Sequence, residues 1–245
     1  MKAIALIPAR LASTRLSEKL LIELEGKTVI QRTYEATKAT GLFHEVIVVT
    51  DSDAIETIIL NCGGRVLRSQ AEYESGTDRI AAVAKDLDAD VLLNVQGDEP
   101  FVQKKPLEQV LALFEGVSGA AVQVASIRKP ITDPQLIHSP NVVKVVCDLH
   151  DNSLLFSRSP IPYIRDADVP HTYYQHIGVY AFRKEALMLF PTLAMTPLEK
   201  VEKIECLRFL ENGIPLKMTT VAEMGIGIDV AEDIERAKAY LKRNS

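Results

Sequence analysis

Glycine, proline and cysteine are sparse in this sequence, positive charge is in deficit, and long apolar runs are missing. With 12 Gly and 12 Pro in 245 residues, and 47% hydrophobic against 25% charged residues, collagenous and disordered classes are excluded and a core of useful size is assured. The 3 cysteines, Cys62, Cys147 and Cys206, lie 85 and 59 residues apart, which fits neither a disulfide framework nor a zinc pair. They read as small buried hydrophobes in a chain expected to reside in a reducing cytoplasm. Lys and Arg number 28 against 33 Asp and Glu, a formal net charge of −5, so bulk electrostatic binding of nucleic acid is not expected. A polyanion would have to be met by a few basic groups gathered in one place. Apolar runs such as Ala3 to Pro8 and Val46 to Val49 fall far short of the roughly 18 to 20 residues that span a bilayer, so no membrane partner is expected. The opening stretch from Met1 to Arg10 has too short an apolar segment for a signal peptide and reads as a first β-strand.

What is present is an alternation of elements. Ala3 to Ile7 reads as a buried strand and Pro8 to Gly26 as a polar loop. Thr28 and Gln31 have capping-box spacing ahead of a helix that Gly41 closes. Val46 to Thr50 is a second strand, Asp51-Ser52-Asp53 opens a helix ending at Gly63-Gly64, and Arg65 to Arg68 is a third strand. Ser75-Gly76-Thr77-Asp78 enters another helix, and Val91 to Val95 is a fourth strand. This order predicts an α/β fold of Rossmann-like type, a mixed, mostly parallel sheet with helices on both faces. Beyond Phe114, strand candidates at Ala120 to Ser126, Val142 to Cys147, Leu154 to Ser157 and Ile177 to Phe182 predict an antiparallel elaboration. Thr196-Pro197-Leu198-Glu199 carries the start signals of a helix expected to run to Gly213. Leu216 to Val221 is a strand, and Asp229 precedes a last amphipathic helix through about Leu241.

In an open parallel sheet, ligands sit beyond the carboxyl ends of the strands. There the first strand delivers Pro8-Ala9-Arg10-Leu11-Ala12-Ser13-Thr14-Arg15-Leu16-Ser17-Glu18-Lys19, and the net charge through residue 19 is +3 against −8 for the remainder. Arg10, Arg15 and Lys19 with the small Ala12 and Ser13 suit an anion, while charge spacing alone is equally that of a solvated loop. Neither a Walker A loop nor Gly-x-Gly-x-x-Gly occurs, which disfavours ATPase and dinucleotide readings. The fourth strand ends in Asn94-Val95-Gln96-Gly97-Asp98-Glu99-Pro100. Gln96 offers an amide for a base edge and Asp98 a Mg²⁺ ligand beside phosphates, although an Asp here is by itself also a turn former. Together with the basic loop, Asp98 favours a metal bridging a triphosphate. Asp229 is either the cap of the last helix or, beside Gly225 and Gly227, a second carboxylate on the same metal. His176 opens a strand and could face a sugar carboxylate or hydroxyl. His44, His138, His150 and His171 show no ligand spacing.

These residues resemble the 3-deoxy-manno-octulosonate cytidylyltransferase (CMP-KDO synthetase) family. The likeness rests on Ile7-Pro8-Ala9-Arg10 with Ser13-Thr14-Arg15, Ser75-Gly76-Thr77-Asp78-Arg79, Asn94 to Pro100, Asn141-Val142-Val143-Lys144-Val145-Val146, Phe156-Ser157-Arg158 with Ile161-Pro162, and His176-Ile177-Gly178-Val179-Tyr180. The resemblance implies a Mg²⁺-dependent nucleotidyltransferase of glycosyltransferase-A-like fold, a homodimer, joining CTP and KDO into CMP-KDO and diphosphate for lipopolysaccharide synthesis. It implies a single domain: about 1–115 as the nucleotide-binding half, about 116–225 as a sugar-binding and dimerisation elaboration, and 226–245 as a helix of the metal site. Ala9, Arg10, Ser13, Arg15 and Lys19 would hold the triphosphate, and Ser75, Gly76 and Gln96 would frame cytosine and ribose. Asp98 and Asp229 would hold Mg²⁺, and Lys144, Arg158, His176, Tyr180, Glu202 and Glu205 would shape the sugar site.

The sequence departs from the family where Arg-x-Pro-Gly-Lys-Pro is usual, because Arg15-Leu16-Ser17-Glu18-Lys19-Leu20 keeps the Lys and loses the Gly and both Pro. Glu18 adds a negative charge beside the expected triphosphate, which predicts weakened nucleotide binding. After Asp229, Val230-Ala231 stands where Thr-Pro is common. Other acidic sugars, 8-amino-KDO and sialic acid, remain open as substrates, as does a non-catalytic CTP-binding module.

Overall fold

The computed structural model describes residues 1–11, 16–69, 73–166 and 168–244. The chain divides into two compact units, Met1–Leu107 with Met224–Ser245, and Glu108–Glu223.

The first unit is built on strands β1 (Ala3–Ala9), β4 (Glu45–Thr50), β5 (Arg65–Arg68) and β6 (Val91–Asn94), paired in parallel in the order β6-β1-β4-β5. The connections are helices α1 (Val29–Ala39), α2 (Asp53–Asn61) and α3 (Gly76–Ala84). Parallel strands need such crossovers, and helices on the faces let them be apolar throughout. Every residue of β1 is accordingly buried, as is every residue of β6. The helices start where short polar side chains cap them: Thr28, Ser52 and Ser75 accept from the amides of Gln31, Ile55 and Asp78.

Between β1 and α1 the loop holds a 3₁₀ turn, Lys19–Leu21, and a hairpin of β2 (Glu23–Leu24) and β3 (Lys27–Thr28). The hairpin was not legible as strands, because its turn is Glu25-Gly26, both at positive φ (49° and 76°), where Asn-Gly or Asp-Gly is the usual signal. The last helix, Ala231–Asn244, runs further than expected.

The second unit carries β7 (Val124–Pro130), β8 (Lys144–Cys147), β9 (Ser153–Ser157), β10 (Tyr174–Arg183) and β11 (Leu216–Thr220). β7 lies between β11, which is parallel to it, and β10, which is antiparallel. β8 pairs antiparallel with both β10 and β9, so the expected antiparallel elaboration is present. Two sequence expectations are corrected here. The strand forecast at Ala120 to Ser126 begins at Val124 and continues through Arg128 and Lys129, because pairing on both edges carries the ladder past the charged residues. The single helix forecast from Pro197 to Gly213 is two, Pro197–Glu202 and Leu207–Glu211, interrupted at Lys203, whose φ is 54°. Neither Gly nor Pro marks that break; Glu202 turns away to hold Ser157 and Arg158 instead.

Candidate active site

In the first unit the chain runs outward from β1 to β4 to β5 and then returns to the other side of β1 as β6. The order therefore reverses between β1 and β6, the position at which open α/β sheets bind ligands. Ala9, 2% exposed, ends β1, and the exposed Arg10 follows. Gln96, Gly97 and Asp98 leave β6 beside them. A Cβ on Gly97 would stand 3.0 Å from the carbonyl oxygen of Pro8, so any side chain here would press the two strand ends a few tenths of an ångström apart. Gly76, the first residue of α3, is similarly tight: a Cβ there would lie 3.1 Å from Pro8 and 3.6 Å from Gln96 Oε1. Pro8, Gly76 and Gln96 thus meet. The carboxamide of Gln96 donates to Asn94 Oδ1 at 3.2 Å, and the Ser75 hydroxyl donates to Asp78 Oδ2 at 2.8 Å while accepting the Asp78 amide.

Asp98 and Asp229, separated by 131 positions in the chain, are joined through Lys19. The ammonium donates to Asp98 Oδ2 and, at 2.8 Å, to Asp229 Oδ1. Backbone bonding brings the segments together independently of these side chains, because the amide of Ile228 donates to the carbonyl of Asp98 at 2.8 Å. The Thr33 hydroxyl on α1 donates to the carbonyl of Gly97 at 2.8 Å and fixes the turn from the other side. Burial alone would lower the pKa of Lys19; the charge of Asp98 and hydrogen bonds to both carboxylates outweigh it, so its pKa is raised and it is a cation at neutral pH.

Asp229, open in the sequence as cap or carboxylate of the site, precedes α-helical residues 231–244 and faces Lys19. Asp233 Oδ2 accepts the amides of Asp229 and Val230 at 3.0 and 3.1 Å, while Asp229 Oδ1 accepts from Lys19. Sequence reasoning missed Asp233, although an acidic residue in a first helical turn is itself a capping signal. Among the described residues, no group of three or more His, Cys, Asp or Glu side chains is gathered as a metal site. Ser13 and Arg15 lie outside the described residues. Glu18 precedes the 3₁₀ turn with φ 49° and ψ 29°, in the left-handed region.

The side chains expected at a sugar lie in the second unit. Lys144 is fully buried, and its ammonium is wrapped by the carbonyl oxygens of Ser139 (2.9 Å), Val142 (2.6 Å) and Arg158. Burial and the Arg158 charge lower its pKa against the opposing pull of Glu202. Glu202 accepts from Ser157 Oγ at 2.6 Å and the Arg158 amide at 2.9 Å, and the Arg158 guanidinium donates to the carbonyls of Glu202 and Pro140, both at 2.7 Å. Lys144, Arg158 and Glu202 therefore form one network that spends most of its polar groups on the backbone. His176 and Tyr180, 8% and 5% exposed, sit on β10 with ring centroids 5.3 Å apart. Burial pushes His176 down to about 3 and raises Tyr180, which shares a hydrogen bond with Cys206 and feels the charge of Glu205. Among the described residues no helix is long and apolar enough to cross a membrane.

Comparison with known proteins places this architecture. Residues 4–223 match a family model described as cytidylyltransferase. The chain is 53% identical over 242 residues to the 3-deoxy-manno-octulosonate cytidylyltransferase of Flavobacterium johnsoniae, with 99% of each chain covered. It is 49% identical over 240 residues to that of Christiangramia forsetii, with 98% of this chain and 97% of the relative covered. The solved structure of CMP:2-keto-3-deoxy-manno-octonic acid synthetase complexed with CTP matches with a TM-score of 0.93 at 34% identity over 100% of both chains. The 4-diphosphocytidyl-2C-methyl-D-erythritol synthase of Anaerococcus prevotii, with a TM-score of 0.67 at 18% identity, shares the fold.

Proposed function

The chain belongs to the 3-deoxy-manno-octulosonate cytidylyltransferase family, and from that membership we propose that it joins CTP to KDO, giving CMP-KDO and diphosphate for lipopolysaccharide synthesis. The observation that carries the site is the convergence of Asp98 and Asp229 on the Lys19 ammonium at the switch point of the parallel sheet. Cytoplasmic residence and assembly as a homodimer belong to the same reading and rest on the family resemblance.

The chemistry is substitution at phosphorus, in which a protein contributes positioning and charge neutralisation. The C2 hydroxyl oxygen of KDO forms the new bond to the α-phosphorus, the bond from that phosphorus to the diphosphate oxygen breaks, and the hydroxyl proton passes to solvent. Arg10, Arg15 and Lys19 neutralise the leaving diphosphate. Gln96, with Ser75 and Gly76, frames cytosine and ribose. Lys144, Arg158, His176, Tyr180, Glu202 and Glu205 shape the sugar side.

Mg²⁺ suits the donors present: Asp98 and Asp229 reach one cationic nitrogen together, so their oxygens converge as a hard divalent ion requires. Bound there, the ion would neutralise phosphate charge and polarise the sugar hydroxyl. Until nucleotide arrives, Lys19 keeps the carboxylates from repelling one another.

The substrate is tested by diphosphate release from CTP with KDO, 8-amino-KDO and N-acetylneuraminate in parallel. KDO is expected to give the highest kcat/KM; a higher value with either competitor reassigns the sugar. Stabilisation by CTP without release on any of the three would leave only a binding module.

Glu18 gives a second prediction. A non-glycine residue in the left-handed region costs about 1 kcal/mol, and Gly removes that cost together with the charge. Glu18→Gly is expected to raise stability by about 1 kcal/mol and to lower the CTP KM by about threefold to tenfold. Glu18→Gln, which removes only the charge, should lower the KM without the stability gain. A CTP KM unchanged in both variants discards the charge argument.

A further inference from the structure

β10 departs from regular pairing with β7 at one place. Ile177 pairs with Ile127 and Tyr180 with Ser126, so Gly178 and Val179 have no counterparts and the strand bulges. The Ser126 hydroxyl lies inside the bulge. Its Oγ is 2.8 Å from the carbonyl oxygen of Val179, 3.2 Å from that of Ile177 and 3.1 Å from His176 Nε2, and Ser126 is wholly buried.

Proton counting decides how these atoms bond. A hydroxyl has one proton to give, and a carbonyl oxygen can only accept. With a carbonyl at 2.8 Å and a second at 3.2 Å, the Ser126 proton must point at the carbonyls, otherwise lone pairs would face each other in a buried site. The contact to His176 then forms only if Nε2 carries a proton and donates to Oγ. His176 is neutral at neutral pH, so that nitrogen holds its one ring proton, and Nδ1 keeps a lone pair.

We propose that Ser126 is a positioning residue that fixes His176 as the Nε2–H tautomer, so that Nδ1 is the acceptor for a sugar hydroxyl. The sugar half of this proposal rests on the assignment of His176 to KDO made above; the tautomer does not. The edge contact of Phe156, with centroids 4.8 Å apart at 65°, holds the same ring from another side. Sequence reading passed over Ser126 because it is one small polar residue in an apolar strand.

Nitrogen-15 NMR of histidine-labelled wild-type protein, with the His176 signals identified by their loss in His176→Gln, reads the tautomer directly. Protonated Nε2 and unprotonated Nδ1 are expected at neutral pH; the reverse pattern overturns the role of Ser126. In Ser126→Ala the fixed pattern should give way to a mixture, and the KM for KDO should rise about tenfold, the worth of one neutral hydrogen bond, with the CTP KM unchanged. Ser126→Thr, which retains the hydroxyl, should restore both. Equal rises in both KM values would show a merely structural role and overturn the positioning. An unchanged KDO KM in His176→Gln, with Nε2 protonated as expected, overturns the placement of His176 at the sugar and leaves Ser126's hold on the ring standing.

Discussion

Asp98→Asn is expected to lower kcat by about a thousandfold, the scale on which loss of one preorganised charge in an active site is felt, while the protein stays folded. The substitution keeps the shape of the side chain and an oxygen that can accept from Lys19. It leaves the backbone carbonyl that accepts the Ile228 amide in place, so Asp229 still reaches the site. What disappears is one negative charge from a pair that suits a divalent ion. Calorimetric titration of CTP with and without Mg²⁺ gives a readout apart from turnover: Mg²⁺ is expected to enhance CTP affinity in the wild type, and this enhancement should be largely lost in Asp98→Asn. Wild-type kcat in the variant would sink the metal assignment, and an undiminished Mg²⁺ enhancement would move the ion elsewhere.

Arg208→Met is expected to cost about 3–5 kcal/mol, the range for a buried pair that loses one partner. Arg208 and Glu199 have side chains each only 5% exposed, and the guanidinium meets the carboxylate through two bonds, of 2.9 and 2.6 Å. The same guanidinium lies 3.9 Å from the centroid of the Phe190 ring. Removing it strands the Glu199 charge in the core of the second unit. For a chain of this size the loss corresponds to a fall in Tm of roughly 6 to 20 °C. Calorimetry of Glu199→Gln combined with Arg208→Met should recover much of the loss, because no charge is then left unpaired. A single variant melting within about 2 °C of wild type would show that water reaches the pair and screens it.

The sequence was most informative where local chemistry is decisive. Thr28, Ser52, Ser75 and the Thr196-Pro197-Leu198-Glu199 start announced helices through backbone geometry alone, and the apolar runs at Ala3 and Val91 announced buried parallel strands. In the first unit Asp98 follows the fourth strand closely, whereas Lys19 lies ten residues beyond the end of β1, in the 3₁₀ turn, and its reach to both aspartates is seen only in the fold. What was not legible depended on distant partners. No local signal breaks the helix at Lys203, where Glu202 instead holds Ser157 and Arg158, residues 45 and 44 positions away. The wrapping of the Lys144 ammonium by carbonyls from Ser139, Val142 and Arg158 had no local signal either, because only the fold assembles them. Ser126 and Asp233 are ordinary residues until a bulge or a neighbouring aspartate gives them partners.

The division of the chain also governs the order in which the site can come into being. The second unit is one continuous segment, Glu108–Glu223, whereas the first takes its final piece from beyond it. On a ribosome the whole of the second unit is therefore translated before Asp229 is, and the bond from Lys19 to Asp229 closes across 210 positions of chain. Nascent chains fold from the N-terminal end and pay loop-closure entropy for distant contacts. Lys19 and Asp98 can pair early, but the second carboxylate arrives only with a nearly finished polypeptide, so a chain interrupted during synthesis carries the strands of the site and lacks the site itself.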